Sequence, residues 1–394
     1  MHLLDKYIIS SSVLALFTEA FMFHYIIDWK LFYIIIIINF LLLSINKKIT
    51  ISKNIIIVFL FLIIHGFIMF LWIKNPLKSL LAQLIGIAVS SVFFYNLFKN
   101  YRVFLLFNKY KQIAFFVALL AIPMFIFKIN NFTINRLSGV LTEPAHYATI
   151  MLPAAYIFLK EKKYYKFLII FITILLSKSS VGYIGLILIF VIPLFKRKNF
   201  VKYSVIVFFI LGVITYYLST KWNEPITENK SNVFVRRIKE TKESIQSVVT
   251  GSFKEYTNLS TYALLSNSFI TREIFTNKPL GTGLGSYPYE YDKYYSLMKP
   301  PPYLITLKLS KINRADANSL FLRGLSNFGV FWIFLMIFFL YKSIYILKNN
   351  NIVRQSTFFY LAVKLLREGH YFPPEFYFFL LIFLKDFDED ITYS

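Results

Sequence analysis

The sequence predicts an all-α polytopic membrane protein, with about twelve transmembrane helices and one large helical extracytoplasmic loop between the ninth and tenth spans. Three observations support this prediction. Of the 394 residues, 57% are hydrophobic and only 16% are charged, which is more apolar surface than a soluble domain can bury. Apolar runs of spanning length recur along the chain. The connections between them alternate between lysine-rich and lysine-poor.

The predicted spans follow one another closely on either side of a single long polar segment. They cover residues 7–27, 31–46, 54–73, 79–98, 112–128, 144–159, 164–177, 179–195, 201–219, 320–346, 355–366 and 371–385. The lysine-rich connections follow the even-numbered spans, so both termini are expected in the cytoplasm. Three regions result: 1–219 with nine spans and an outer-face motif at 136–146, the loop 220–319, and 320–394 with three spans and a short cytoplasmic tail.

Composition also excludes several classes of protein. The net charge of +23 would suggest nucleic-acid binding in a soluble protein, but here the basic residues are scattered between spans, as cytoplasmic loops require. The chain has no cysteine, which excludes disulfides, thiolate nucleophiles and Cys-based metal sites. The first apolar run is followed at once by others, so it is expected to be a retained span rather than a cleaved signal.

The long polar segment, from Thr220 to about Ser319, is the one sizeable extramembrane region. It is expected to begin with an amphipathic helix over 231–251 and to continue with a second helix over 258–275. The sequence NKPLGTGLGSY follows, in which three glycines within five residues demand unusual dihedral angles or a close backbone approach. A nucleotide-binding loop is rejected here because neither the glycine spacing nor a βαβ setting is present.

The segment RLSGVLTEPAHYA, residues 136–148, places ionisable groups at the mouth of a span. Charges are costly there, so the segment is predicted to be functional. Glu143 precedes Pro144 and is expected to be the N-cap of the following helix. Its carboxylate could cap that helix and pair with Arg136, or act on a substrate. His146, one turn further in, is more simply interpreted as a hydrogen-bonded interior residue than as a base.

Four short motifs, in order and spacing, resemble the O-antigen polymerase and ligase superfamily. They are RLSGVLTEPAHYA, TREIFTNKPLGTGLGSY, NSLFLRGLSNFGVF and LREGHYF. The resemblance covers most of the chain from Arg136 onward, and before that residue it rests on the number of spans. It implies a metal-independent glycosyltransferase of the bacterial inner (cytoplasmic) membrane, without cofactor. The implied partners are an undecaprenyl-diphosphate-linked oligosaccharide, the lipid bilayer and, optionally, a chain-length regulator, with no nucleic acid.

The resemblance implies roles for particular residues. Arg136 would bind the diphosphate, because a guanidinium stays charged and grips phosphate oxygens bidentately, and Glu143 would activate or orient the acceptor hydroxyl. These two are the candidate catalytic residues. Candidates for substrate binding are Arg272, Asn318, Arg323, His146, Arg314 and Arg367. For each of the arginines, an ordinary solvated or interfacial charge is the alternative.

Two alternative functions stay open. The first is a ligase that transfers finished polymer to an acceptor. The ligases of this superfamily carry a His-Asn pair where this chain has Ala317 and Asn318, and neither side chain can accept a proton, so the polymerase is favoured. The second is a glycolipid flippase or transporter, for which charges deep inside several spans and two related halves are expected. The acidic tail residues Asp386 and Asp388 have metal-binding spacing, but no domain surrounds them, and a solvated tail is the simpler interpretation.

Overall fold

The computed structural model describes residues 3–25, 27–47, 49–130, 135–192, 244–349, 351–385 and 387. Within these ranges the chain is helical, apart from one antiparallel hairpin in which Met22 pairs with Lys30. The predicted ninth span (201–219), most of the first loop helix (231–251) and the aspartates of the acidic tail lie outside the described residues.

The elements of the described chain have the following bounds. They are α1 Leu3–Ala15, β1 Met22–Tyr25, β2 Ile27–Lys30, α2 Leu31–Asn46, α3 Lys53–Ile73, α4 Leu77–Asn100, α5 Val103–Ile126, α6 Pro144–Lys160, α7 Tyr164–Leu176, α8 Ser180–Val191, α9 Ser247–Thr250, α10 Leu259–Asn277, α11 Tyr287–Tyr295, α12 Pro302–Thr306, α13 Leu320–Phe328, α14 Val330–Lys348, α15 Ile352–Arg367 and α16 Phe376–Leu384.

Four of the described helices, α3, α4, α5 and α14, are long and apolar enough to cross a membrane. They have 19 to 24 residues each, or about 29–36 Å at 1.5 Å per residue, which matches the ~30 Å hydrocarbon core of a bilayer. Large aliphatic and aromatic side chains lie exposed along α3 and α14, as is typical of lipid-facing surfaces. The chain is therefore an all-α membrane protein in its described part.

Three predicted spans differ from the helices observed. The first run, 7–27, is not one helix: α1 ends at Ala15, where the Thr18 hydroxyl donates to the Ala15 carbonyl, and a hairpin follows. The run 320–346 is divided at Gly329, whose φ of 55° lies in the left-handed region. The run 371–385 becomes helical only from Phe376, because two prolines at 373 and 374 precede it.

The described chain forms two compact units. The first unit comprises Met1–His65, Leu81–Phe190 and Ile337–Ser394, and the second comprises Gly66–Leu80 and Val191–Met336. The core of the first unit is α6, whose side chains are buried from Tyr147 to Phe158 on every face. Helix α6 packs on α7 and α15. Helix α8 approaches it closely because Gly182 and Gly185 leave no room for a Cβ beside Ala148 and Leu152.

The core of the second unit is aromatic, centred on Tyr262, Tyr287 and Tyr291 of α10 and α11. The glycine-rich turn between these helices meets both requirements predicted for it. Gly281, Gly283 and Gly285 all have positive φ values, and a Cβ on Gly281 would lie 2.4 Å from the carbonyl oxygen of Asn327. The turn therefore packs directly against the backbone at the end of α13, and only glycine fits there.

Candidate functional site

The loop before α6 is held by main-chain hydrogen bonds. The Leu137 amide donates to the Leu176 carbonyl over 3.1 Å, and the Asn130 side-chain amide donates to the carbonyls of Gly139 and Leu141. Arg136 is half-buried in this loop, and its Nε donates to the Ser177 carbonyl over 3.4 Å. One nitrogen of this guanidinium therefore anchors the side chain to the end of α7.

Glu143 is the N-cap of α6, in the extended conformation expected for a residue before Pro144. Its carboxylate does not cap the helix by a hydrogen bond. The side chain is exposed, and it forms no ion pair with Arg136 within the described part of the chain. The sequence therefore located the start of the helix, while the pairing of Glu143 with Arg136 is absent.

His146 lies one turn into α6 and is held between two carboxylates from distant parts of the chain. Its Nδ1 is 2.7 Å from Oε1 of Glu19 and 3.4 Å from the Thr142 hydroxyl. Its Nε2 is 3.9 Å from Oε1 of Glu368. His146 is thus hydrogen-bonded in the interior, with one ring nitrogen engaged by Glu19 and the other facing Glu368.

Further ionisable groups complete this site. Lys364, in the last turn of α15, has its Nζ 2.9 Å from Oε1 of Glu368, and both side chains are almost fully buried. Glu375, the buried N-cap residue of α16, accepts a 2.8 Å hydrogen bond from the Tyr360 hydroxyl. We refer to Glu19, His146, Lys364, Glu368 and Glu375 as the carboxylate cluster. Buried charges such as these destabilise a fold unless they are paired, so they are retained for function more often than for stability.

The carboxylates of the cluster differ in their affinity for protons. Burial would raise the pKa of Glu19, but the hydrogen bond and positive charge of His146 outweigh it and lower that pKa to about 2. Burial also opposes ionisation of Glu368, yet the charges of Lys364 and His146 lower its pKa. Burial and the charge of Glu368 raise the pKa of Glu375 to about 7. Two ionised carboxylates therefore lie in one cluster with a third that keeps its proton up to neutral pH, a combination suited to acid–base chemistry.

Of the predicted site residues, Arg136, Glu143, His146 and Arg367 belong to the first unit. Arg367 is half-buried at the end of α15, directly before Glu368. The sequence analysis missed Glu19, Lys364, Glu368 and Glu375. Spacing alone could have indicated one pair, because Lys364 and Glu368 lie four residues apart at the C-terminal end of α15.

The other predicted site residues belong to the second unit. Arg272 is exposed, and its Nη1 lies 2.9 Å from Glu273 and 3.1 Å from the Val249 carbonyl. Arg314 is held by both oxygens of Asp292, each 2.9 Å from its Nε. Because nearby acceptors already occupy nitrogens of both guanidinium groups, their capacity to bind a phosphate is reduced.

Asn318 and Arg323 lie at the start of α13. Ala317 and Asn318 both have φ values of 60°, a conformation that costs ~1 kcal/mol or more for residues other than glycine. The Asn318 side-chain Nδ2 is buried without a hydrogen-bond partner among the described residues. The Arg323 side chain is also buried. A strained backbone and an unfilled donor at a helix N-terminus are features of a binding site.

Within the described ranges, no group of three or more histidine, aspartate or glutamate side chains is arranged to hold a metal ion. The comparisons with known proteins give no family: the chain matches no family model, no curated protein and no solved structure.

Proposed function

We propose that the protein polymerises undecaprenyl-diphosphate-linked oligosaccharide repeat units into O-antigen or capsular polysaccharide at the outer face of the bacterial cytoplasmic membrane. The four motifs that resemble the polymerase and ligase superfamily suggest this reaction. The observation that carries it is the carboxylate cluster, which lies at the N-terminal end of α6 directly after the Glu-Pro motif. An ionic cluster in that position supports proton transfer during group transfer.

In the proposed reaction, an acceptor hydroxyl of the incoming repeat unit attacks the anomeric carbon of the chain held on undecaprenyl diphosphate. The bond between that carbon and the diphosphate oxygen breaks, and the electron pair stays on the diphosphate. Arg136 would stabilise this new charge through its guanidinium group. Arg323, Asn318 and Arg367 would contribute to substrate binding. The contribution of Arg272 and Arg314 would be reduced by their ion pairs with Glu273 and Asp292.

On the acceptor side, Glu143 and His146 lie within one turn of each other on α6. Glu143 is exposed at the mouth of the helix, where it would orient the incoming sugar. His146 is fixed by Glu19, so its second nitrogen has a defined direction.

The test is polymerisation by purified protein in proteoliposomes, supplied with lipid-linked repeat unit extracted from cells that lack this gene. We expect a ladder of polymer from the wild type. Arg136→Ala should lower the rate ~10²–10³-fold, the loss seen when one donor to a developing negative charge is removed, while the protein still inserts at normal levels. Arg102→Ala, which removes an exposed arginine at the start of α5, is the matched control and should retain activity. Unchanged chain lengths in Arg136→Ala would contradict the assignment of this residue.

A second candidate is a transporter of the same glycolipid, and the buried pair on α15 favours it. Lys364 and Glu368 are ionisable groups buried at the C-terminal end of α15, and buried ionisable groups of this kind also occur in proton-coupled transporters. Movement of the repeat unit across proteoliposomes without chain growth would support this candidate instead. Polymer formed without any other acceptor would exclude the ligase alternative.

A further inference from the structure

Glu368 has hydrogen-bonding capacity that the described residues leave unused. Its side chain is about 6% exposed, and neither carboxylate oxygen accepts a hydrogen bond from the described part of the chain. An ionised carboxylate offers about four lone-pair positions, and buried polar groups are nearly always satisfied. The unused positions therefore suit a donor brought by a ligand.

Lys364 balances the charge of Glu368 without saturating it. Its Nζ lies 2.9 Å from Oε1, but the approach is outside hydrogen-bonding geometry, and the ammonium makes no other hydrogen bond within the described ranges. The ammonium lies over the ring of Phe376, 5.5 Å from its centroid, which fixes it on one side. The pair is therefore held electrostatically, while both groups keep directional bonds available.

His146 faces the same carboxylate across a gap. The distance of 3.9 Å between Nε2 and Oε1 of Glu368 is too long for a hydrogen bond. A hydroxyl oxygen about 2.8 Å from each atom would bridge them, accepting a hydrogen bond from Nε2–H of His146 and donating one to the Glu368 carboxylate. Glu19 holds the opposite nitrogen of the ring at 2.7 Å, so Nε2 cannot turn away.

We propose that Glu368 is the base that takes the proton of the acceptor hydroxyl, and that this hydroxyl lies between the Glu368 carboxylate and Nε2 of His146. The inference rests on the glycosyl transfer proposed above. The O–H bond breaks and its proton passes to Glu368. The oxygen electron pair forms the bond to the anomeric carbon as the bond to the diphosphate breaks. His146 is a positioning residue in this step, and the exposed Glu143 orients the sugar.

The charged groups around Glu368 are consistent with this role. Lys364 of the same helix and His146 of α6 provide positive charge, while Glu19 after α1 provides negative charge. Glu375, at the start of α16, stays protonated up to neutral pH and so adds no further negative charge beside Glu368 below that point. Because its pKa is lowered, Glu368 is ionised and able to accept a proton at neutral pH.

The test compares three glutamate-to-glutamine variants in the polymerisation assay. Glu368→Gln should lower kcat ~10²–10⁴-fold, as for the loss of a general base, and Glu143→Gln should lose ~10-fold or less, as for weakened orientation. Glu161→Gln, at the opposite end of α6 in the ion pair with Lys163, is the matched control and should retain the wild-type rate. Glu368→Gln at more than half of the wild-type rate would overturn the inference.

A pH profile separates catalysis from a structural role. In the wild type, kcat/KM should fall toward acid as the base is protonated, and this limb should be lost from the residual activity of Glu368→Gln. Glu368→Asp keeps the charge beside Lys364, so the ion pair and the acid limb should persist while kcat falls. An acid limb that is unchanged in Glu368→Gln would overturn the inference. If the wild type itself forms no polymer, the proposed function fails and the inference fails with it. If the wild type forms polymer and Glu368→Gln forms it at more than half of that rate, only the inference fails.

Discussion

At the scale of single residues, the Lys364–Glu368 pair shows how a membrane protein keeps a buried charge. Each member compensates for the other, and both lie in surroundings that would otherwise favour neutral groups. Removal of one partner leaves an uncompensated buried charge, whereas removal of both charges leaves none. The first change should therefore cost much more stability than the second.

We predict that Lys364→Met lowers the free energy of unfolding by ~3–5 kcal/mol. Lys364→Met combined with Glu368→Gln should recover most of that loss, because no unpaired carboxylate remains. The unfolding midpoint of the detergent-solubilised protein, followed by tryptophan fluorescence, measures both effects. If Lys364→Met alone is as stable as the wild type, the ion pair is already solvated and the prediction is wrong.

A second residue-scale prediction concerns pH. The pKa of Glu375 is raised to about 7 in the folded protein, so the folded state binds this proton more tightly than the unfolded state does. Its contribution to stability is complete below about pH 4 and is lost as the pH rises through 7, on the order of 3 kcal/mol. The unfolding midpoint should fall between about pH 4 and pH 7, and Glu375→Gln should flatten that dependence. A fall of equal size in Glu375→Gln would assign the dependence to another group.

The sequence predicted the motif residues of the site but not their partners. The charged residues near Pro144 can be recognised from a short stretch of sequence, because the free-energy cost of a charge depends on the apolar span directly beside it. Glu19 and Glu368 lie 127 and 222 positions from His146 along the chain. Their proximity follows from the packing of α6 against α15 and from the contact that the segment after α1 makes with His146, and hydropathy contains no information on that packing.

At the scale of elements, apolar runs predicted most helices but not their interruptions. The run 320–346 satisfies every composition rule for one span. The helix nevertheless breaks at Gly329, where the Val330 amide bonds to the Pro279 carbonyl over 2.9 Å instead of continuing the helix. The partner that ends the helix comes from the segment of the glycine-rich turn, 51 residues earlier, so the break depends on tertiary contact.

We predict that Gly329→Ala destabilises the protein by more than ~2 kcal/mol and lowers its yield. A Cβ there would lie 1.9 Å from the Pro279 carbonyl oxygen, in a residue whose φ is positive. Gly66→Ala is the control, because its Cβ would meet only the flexible end of the Leu80 side chain in the middle of α3. Equal unfolding midpoints for Gly329→Ala and Gly66→Ala would mean that the break between α13 and α14 does not require glycine.

At the scale of the whole molecule, the alternation of lysine-rich connections predicts which ends of the helices face the cytoplasm. This property is a sum over many loops, so a single sequence can predict it although helix packing cannot be predicted in the same way. The same rule predicts that residues 220–319 and the carboxylate cluster lie on the outer side, as the proposed function requires.

The absence of cysteine makes this topology directly testable, because the native chain gives no background. Thr276→Cys, at an exposed position in α10, should react in intact cells with a membrane-impermeant maleimide. Lys162→Cys, at an exposed position after α6, should react only after permeabilisation. Reversed labelling of the two positions would place the long loop in the cytoplasm and exclude the proposed function.

The burial of α6 on all sides limits which substitutions the protein can tolerate in this helix. A span with one face in lipid tolerates many substitutions on that face. In saturation mutagenesis of α3, the tolerance to substitution should therefore rise and fall with the helical period. Helix α6 has neighbours on all sides from Tyr147 to Phe158, and its profile should be uniformly intolerant. Natural variants of this protein would then diverge fastest around their perimeter and most slowly along this one central helix.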